Sequence, residues 1–223
     1  STTLDKASFD DYVDQKCYNI SKSIYNLINQ NAYEVLTNAR IYSDSKNEIY
    51  CDISSSFAID FTDKIPSMSF KAQTSGNNIS NYEKYIYNNS IYEKLTNEIV
   101  NPKGYTILPY ENEYSSLDYY LYWNPAPFSI THAAEYTITE TENFYIIDFT
   151  YNTNDAIDAF LSYEKNISQF GISYITNDKP EEHNNFIVKK GVGKAIIRKN
   201  DFMFTEQSID IEISVENVTY NLI

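Results

Sequence analysis

Residues 9–36 read FDDYVDQKCYNISKSIYNLINQNAYEVL, and the expected fold turns on how this stretch is taken. Its apolar residues, Phe9, Val13, Cys17, Ile20, Ile24, Leu27, Ile28, Val35 and Leu36, recur largely at steps of three and four, the stripe of an amphipathic helix. Neither Pro nor Gly interrupts the segment. Asp5, Asp10 and Asp11 precede or begin it, where negative charge suits the positive end of the helix dipole, and Arg40 follows it, where positive charge suits the other end. The pattern predicts one helix over residues 3–41, on the order of 50 Å long at about 1.5 Å per residue, which is the length of a spine.

Downstream, Glu48–Ile53 and Ser56–Phe61 read as two short strands rich in Ile, Tyr and Phe. A second helix is expected over Ser80–Val100, with Ser80 and Glu83 as a capping box, Tyr82, Tyr85, Ile86, Tyr92, Leu95 and Ile99 as its stripe, and Asn101, Pro102 and Gly104 as its stop. Tyr105–Tyr110, Leu117–Trp123 and Ala134–Tyr151 read as strands, the last turning near Glu140–Asn143. A third helix is expected over Asn154–Phe170, capped by Thr153 or Asn154, burying Ile157, Phe160, Leu161, Ile167 and Phe170, and closed by Gly171. The remainder reads as strand: Ile172–Thr176, Phe186–Lys190, Lys194–Arg198 and Ser208–Leu222, where Ile209, Ile211, Ile213 and Val215 alternate with polar residues as in an antiparallel sheet with one wet face. The expected class is therefore α+β: a long N-terminal helix packed on antiparallel sheet, then a second helix-plus-sheet unit. This divides the chain into residues 1–152, with the spine at 3–41 and an inserted helix at 80–100, and residues 153–223.

Composition constrains function. The chain of 223 residues is 42% hydrophobic and 16% aromatic, with 22 Tyr and 12 Phe, too apolar for a disordered tail. A formal net charge of −14 opposes a phosphate backbone, so bulk nucleic-acid binding is not expected. The segment Lys189, Lys190, Lys194, Arg198 and Lys199 is the local exception; it reads as the solvated face of a hairpin or as an electrostatic contact with a subunit or acidic partner. No stretch reaches the roughly 18 to 20 apolar residues of a membrane span. The sequence opens at Ser1 without Met and enters a helical pattern almost at once, as expected of a chain cut from a longer precursor whose upstream part could hold a membrane anchor.

The abruptly begun amphipathic helix, carried by Phe9 to Leu36 and followed by antiparallel sheet, resembles the ectodomain of a type IV pilin, and the second helix-plus-sheet unit, Asn154–Ile223, resembles the dual-fold minor pilins of clostridia. The resemblance implies a non-enzymatic structural or adhesive subunit of a bacterial surface fibre. Its partners would be other pilin subunits, contacted through the N-terminal helix, and a host or cell surface; its location would be extracellular. The alternative is an extracellular domain of a surface lipoprotein that binds carbohydrate or protein.

Chemistry-bearing residues are few. Cys17 and Cys51 are the only cysteines, and three readings stay open: free buried thiols, a disulfide closing a loop of about 35 residues, or a structural zinc held by Cys17 and Cys51 with His132, His183 or a carboxylate. The candidate metal set is Cys17, Cys51 and His132, although no CxxC spacing supports it. Two histidines, His132 and His183, make the chain poor in general bases. HExxH, GxSxG and P-loop patterns are absent. The run Gly191-Val192-Gly193-Lys194 lies between strand-like segments, not before a helix, and is expected to be a hairpin turn and not a phosphate loop. The acidic pairs Asp10-Asp11 and Glu181-Glu182 fit no EF-hand or other site pattern. Tyr119, Tyr120, Tyr122 and Trp123 form the densest aromatic cluster, a candidate platform for stacking glycans.

Overall fold

The computed structural model describes residues 26–27, 29–76, 79–111, 133–168, 186–215 and 217–223. Among these residues eleven strands are laid out as β1 (Ala32–Ser43), β2 (Glu48–Asp60), β3 (Ser67–Gly76), β4 (Ser80–Tyr87), β5 (Ser90–Asn97), β6 (Thr106–Pro109), β7 (Ala133–Glu140), β8 (Phe144–Tyr151), β9 (Phe186–Arg198), β10 (Met203–Val215) and β11 (Val218–Leu222), with the helix α1 (Thr153–Ser168) between β8 and β9. They form a single antiparallel sheet in the order β6-β5-β4-β3-β2-β1-β11-β10-β9-β8-β7. Two meanders thus meet where β1 pairs with β11.

This overturns the expected α+β fold with its long N-terminal helix and second pilin-like unit. Asn26 and Leu27 are helical, but the chain is strand from Ala32; residues 3–25 of the expected spine lie outside the described residues. The physical reason is visible in β1. Tyr33 and Ile41 are buried and Val35 and Ala39 pack on the core, while Leu36 between them is 71% exposed. The helical stripe had counted Val35 and Leu36 as neighbours on one face, whereas a pleated strand sends them to opposite faces.

The helix expected at Ser80–Val100 is instead the β4–β5 hairpin. Tyr82, Ile86, Ile91 and Leu95 point to the core face, whereas Tyr85 and Tyr92 pair across the other face and Ile99 is 94% exposed. Asn88 and Asn89 join the strands with φ of 47° and 62°, the left-handed pair of a type I′ turn. Ser80 caps nothing; its hydroxyl lies 2.7 Å from that of Thr74 across the β3–β4 ladder.

The two short strands expected before Phe61 are one strand, β2, and the expected hairpin turn at Gly191–Lys194 is the middle of β9. The β7–β8 hairpin and β6 fall where the sequence places them. Helix α1 also does, except that Asn152 is its cap: Asn152 Oδ1 accepts from the Asp155 amide at 2.9 Å. Of its predicted apolar residues, Ile157 and Phe160 are buried and Leu161 is half-buried; Ile167, Phe170 and Gly171 lie outside the described side chains, as do the predicted strands at Leu117–Trp123 and Ile172–Thr176. The sheet runs unbroken across residue 152, since β8 pairs with β9.

From β4 through β1 and β11 to β8 one face of the sheet is dry. Ile53, Phe57, Phe70 and Ile86 continue through Ile41 and Leu222 to Ile211, Ile197 and Ile147 in one buried cluster, which α1 joins through Ala156, Ile157 and Phe160. Each such aliphatic or aromatic side chain contributes about 1.5–3 kcal/mol by leaving water. The two glycines of β9 make this packing fit. A Cβ on Gly191 would stand 3.1 Å from the Cβ of Ala156 in α1, and one on Gly193 would fall 2.2 Å from Cζ of Phe149, whose ring occupies that space.

Candidate functional site

A concavity lies on the wet face of β1–β6. Strand register aligns Glu34, Ala58, Ser69, Tyr85, Tyr92 and Ile107 in one row across six strands. The adjoining row carries Ala32, Asp60, Ser67, Tyr87 and Ser90. Because Ala58, Ser67 and Ser69 are small, β2 and β3 expose a low floor, and tyrosines rise beside it. The resulting groove encloses about 920 Å³.

Tyr85 and Tyr92 are directly opposed on β4 and β5. The ring of Tyr105, just before β6, stands edge-on to both, at 6.0 Å and 72° from Tyr85 and at 6.5 Å and 86° from Tyr92. Edge-to-face contacts of this kind are worth about 0.5–1.5 kcal/mol each. Glu83 ties the wall together: its Oε1 accepts from the Tyr85 hydroxyl at 2.9 Å and its Oε2 from the Tyr105 hydroxyl at 3.1 Å. Burial, and then the bond to Glu83, push the Tyr85 phenol up to about 12, and the bond to Glu83 raises Tyr105. Lys71 and Lys94 hold their ammonium groups 6.0 Å and 5.7 Å from the ring centroids of Tyr85 and Tyr105. At the other end Glu34 and Asp60 line the groove. Hydrogen bonds from Thr62, its hydroxyl first and then its amide at 2.8 Å, keep the Asp60 carboxyl below its ordinary value and charged.

None of these groove residues is among the predicted site residues. Cys51 is a free thiol on the dry face of β2, 1% exposed; burial, with a smaller contribution from the Asp52 charge, pushes it up to about 12. Cys17, His132 and His183 lie outside the described residues, as do Asp10-Asp11, Glu181-Glu182 and the cluster Tyr119, Tyr120, Tyr122 and Trp123. Among the described residues no group of three or more His, Cys, Asp or Glu converges.

The basic run of β9 is answered by acids from neighbouring strands and turns. Lys190 bonds Asp210, Lys194 lies 3.7 Å from Asp148, Arg198 lies 2.6 Å from Asp201, and Lys199 lies 3.0 Å from Glu140. Lys189 donates to the Thr219 hydroxyl at 3.0 Å. The segment reads as a cross-strand charge ladder rather than an open basic patch.

Fold and groove together define, among the described residues, a mostly antiparallel β protein whose wet face bears a tyrosine-walled cleft. A scan against protein-family models finds none that matches, and a search of curated proteins returns no match.

Proposed function

We propose that the chain is a non-catalytic extracellular module that binds carbohydrate in the groove of Tyr85, Tyr92 and Tyr105. The observation that carries this reading is the set of edge-to-face rings standing beside a floor of Ala58, Ser67 and Ser69. A pyranose presents an apolar C–H face, which suits a tyrosine ring, and a rim of hydroxyls, which suits carboxylate and serine acceptors such as Glu34, Asp60 and Ser69. The rings are held by Glu83 before any ligand arrives, so little side-chain freedom is lost on binding. Both oxygens of that carboxylate are engaged, which favours a structural over a catalytic role for it. Glu34 and Asp60 at the cleft end, with the net charge of −14, favour a neutral or cationic sugar over an anionic one.

Alternative partners follow from the fibre reading, in which the subunit meets other pilin subunits through its N-terminal helix. That helix would have to lie before Ala32, largely among residues outside those described, and no described feature favours it over the groove.

Titration of neutral oligosaccharides, followed by calorimetry and by amide shifts of Ala58, Ser69, Tyr85 and Tyr92, tests the proposal. Tyr92→Ala is expected to weaken binding tenfold or more, about 1.4 kcal/mol, while Tyr92→Phe retains most of it, and raising salt changes little. If no neutral glycan perturbs those amides, or if Tyr92→Ala binds as the parent does, the assignment fails.

A further inference from the structure

The two ends of the groove differ in charge. At the tyrosine end the ammonium groups of Lys71 and Lys94 stand beside the rings of Tyr85 and Tyr105. At the far end, on β1 and β2, Glu34 and Asp60 line the groove. Glu34 lies opposite Ala58, and Asp60 lies two residues further along β2, opposite Ala32. The two carboxylates are therefore diagonal neighbours on the wet face, roughly 7 Å apart at Cβ. Both residues are exposed, and neither has a lysine or arginine within ion-pair distance among the described residues. Thr62 holds Asp60 ionised through its hydroxyl and amide, so a proton on Asp60 does not relieve the repulsion between the pair.

Two carboxylates alone supply too few oxygens for a divalent cation such as calcium, which takes at least about six. A primary ammonium asks for less. It is a compact charge with three N–H donors, enough to reach both acids from between them. Strand spacing sets what joins this end of the groove to the other. Glu34 and Tyr85 occupy one row three strands apart, roughly 14 Å at about 4.8 Å per strand. Only Ala58 and Ser69 stand between them in that row, so a ligand lying on the floor meets no tall side chain on the way. The span exceeds one sugar ring and suits a short oligosaccharide.

We propose that the groove selects glycans carrying a free amine, with a hexosamine ammonium seated between Glu34 and Asp60 and the neighbouring sugars against Tyr85 and Tyr92. The assignment rests on the carbohydrate reading of the groove and adds the class of sugar. N-acetylation removes the charge and leaves one N–H of three, so the acetylated sugar is the form discriminated against. The net charge of −14 attracts any cation, and only placed carboxylates distinguish one position on a glycan from another.

Calorimetry and amide shifts on the whole chain at pH 5.5, with β-1,4-linked trisaccharides of glucosamine and of N-acetylglucosamine, test this. The amine form should bind at least tenfold more tightly, and added salt should shrink that gap. Amides of Tyr85 and Tyr92 should shift with both ligands, those of Glu34 and Thr62 chiefly with the amine form. Glu34→Gln and Asp60→Asn should each cut the gap threefold or more, and the double variant should close it, with affinity for the acetylated form and the melting curve unchanged. Glu135→Gln, which removes an equal charge from β7, should leave the gap intact. Equal binding of the two trisaccharides, a gap that survives in the double variant, or one that shrinks as much in Glu135→Gln would overturn the amine assignment and leave the carbohydrate reading standing. Ethanolamine binding as tightly as the glucosamine trisaccharide, or no shift of the Tyr85 and Tyr92 amides with either sugar, would overturn both.

Discussion

The two meanders share a dry face and differ on the wet one. On β7–β11 the exposed rows are charged and answered in place, Asp148 by Lys194 and Asp210 by Lys190. On β1–β6 the row of Ala58, Ser69, Tyr85 and Tyr92 carries rings, beside charged neighbours such as Glu83 and the Arg40–Asp52 pair. Exposed ion pairs contribute about 0–1 kcal/mol and keep a surface wet. Exposed aromatic rings over a small-residue floor leave apolar area uncovered, which is what a recognition surface requires. The wet face thus has an inert half and a receptive one, and the difference lies in side-chain choice rather than in backbone geometry.

The most direct way to break the comparison is to ask whether the dry faces are one core. Phe57 and Phe160 are both 0% exposed, at opposite ends of the cluster. Phe57→Ala and Phe160→Ala should each cost about 3–5 kcal/mol, and each should lower a single cooperative urea transition seen alike by fluorescence and circular dichroism. A biphasic melt for either variant would mean that the two meanders unfold independently.

A smaller effect separates the wet face from the dry one. Gly193→Ala puts a methyl where the Phe149 ring lies and should cost about 1–3 kcal/mol. Ala58→Leu adds more volume but points it into the open groove, so stability should stay within about 0.5 kcal/mol while any glycan binding is lost. Equal destabilisation by the two substitutions would remove the distinction between a packed face and an open one.

Alkaline pH sharpens the comparison further. Cys51, Tyr50 and Tyr85 on β2 and β4, and Tyr163 on α1, are pushed up to about 12, chiefly by burial, and Tyr33, Tyr82 and Tyr151 are pushed higher still. Ordinary thiols and phenols release protons near 8.5 and 10. Above those values the unfolded chain holds fewer protons than the native one, so stability falls as pH rises from about 9 through 12. Five of these seven groups belong to β1–β4. Urea unfolding at pH 7, 9 and 10.5 should show that decline, and Tyr85→Phe should make it shallower. A slope unchanged by that substitution would mean that its phenol is not held protonated by the fold.

The β7–β8 hairpin and α1 were legible because their local signals agree with their tertiary setting: apolar alternation around a polar turn, and an apolar stripe after a capping residue. The segments over β1, β4 and β5 misled because tyrosine, isoleucine and leucine occur on both of their faces. With Leu36 exposed and Tyr85 and Tyr92 half-buried on the wet face, the period of two is blurred, and spacings of three and four appear by coincidence. The groove was hidden for the same reason. Tyr85 and Tyr92 were counted in the buried stripe of a helix, and the floor of Ala58, Ser67 and Ser69 has no chemical signature until the register brings the three together.

One local signal could have corrected the helix at Ser80–Val100: two asparagines between Tyr82-Glu83-Lys84 and Tyr92-Glu93-Lys94. Asn tolerates positive φ better than other side chains, and a two-residue loop needs it twice. At the second position glycine fits better still, since it has no Cβ to strain at a φ of 62°. Asn89→Gly should therefore raise stability by about 0.5 kcal/mol, and Asn89→Val, β-branched in the left-handed region, should lower it by about 1–2 kcal/mol. Because the turn sets the register Tyr85↔Tyr92, the glycine variant should leave the groove amides unshifted and the valine variant should disturb them before anything on β9 or β10 moves. Equal disturbance at both ends of the sheet would mean that the receptive face is not tuned by its own hairpin.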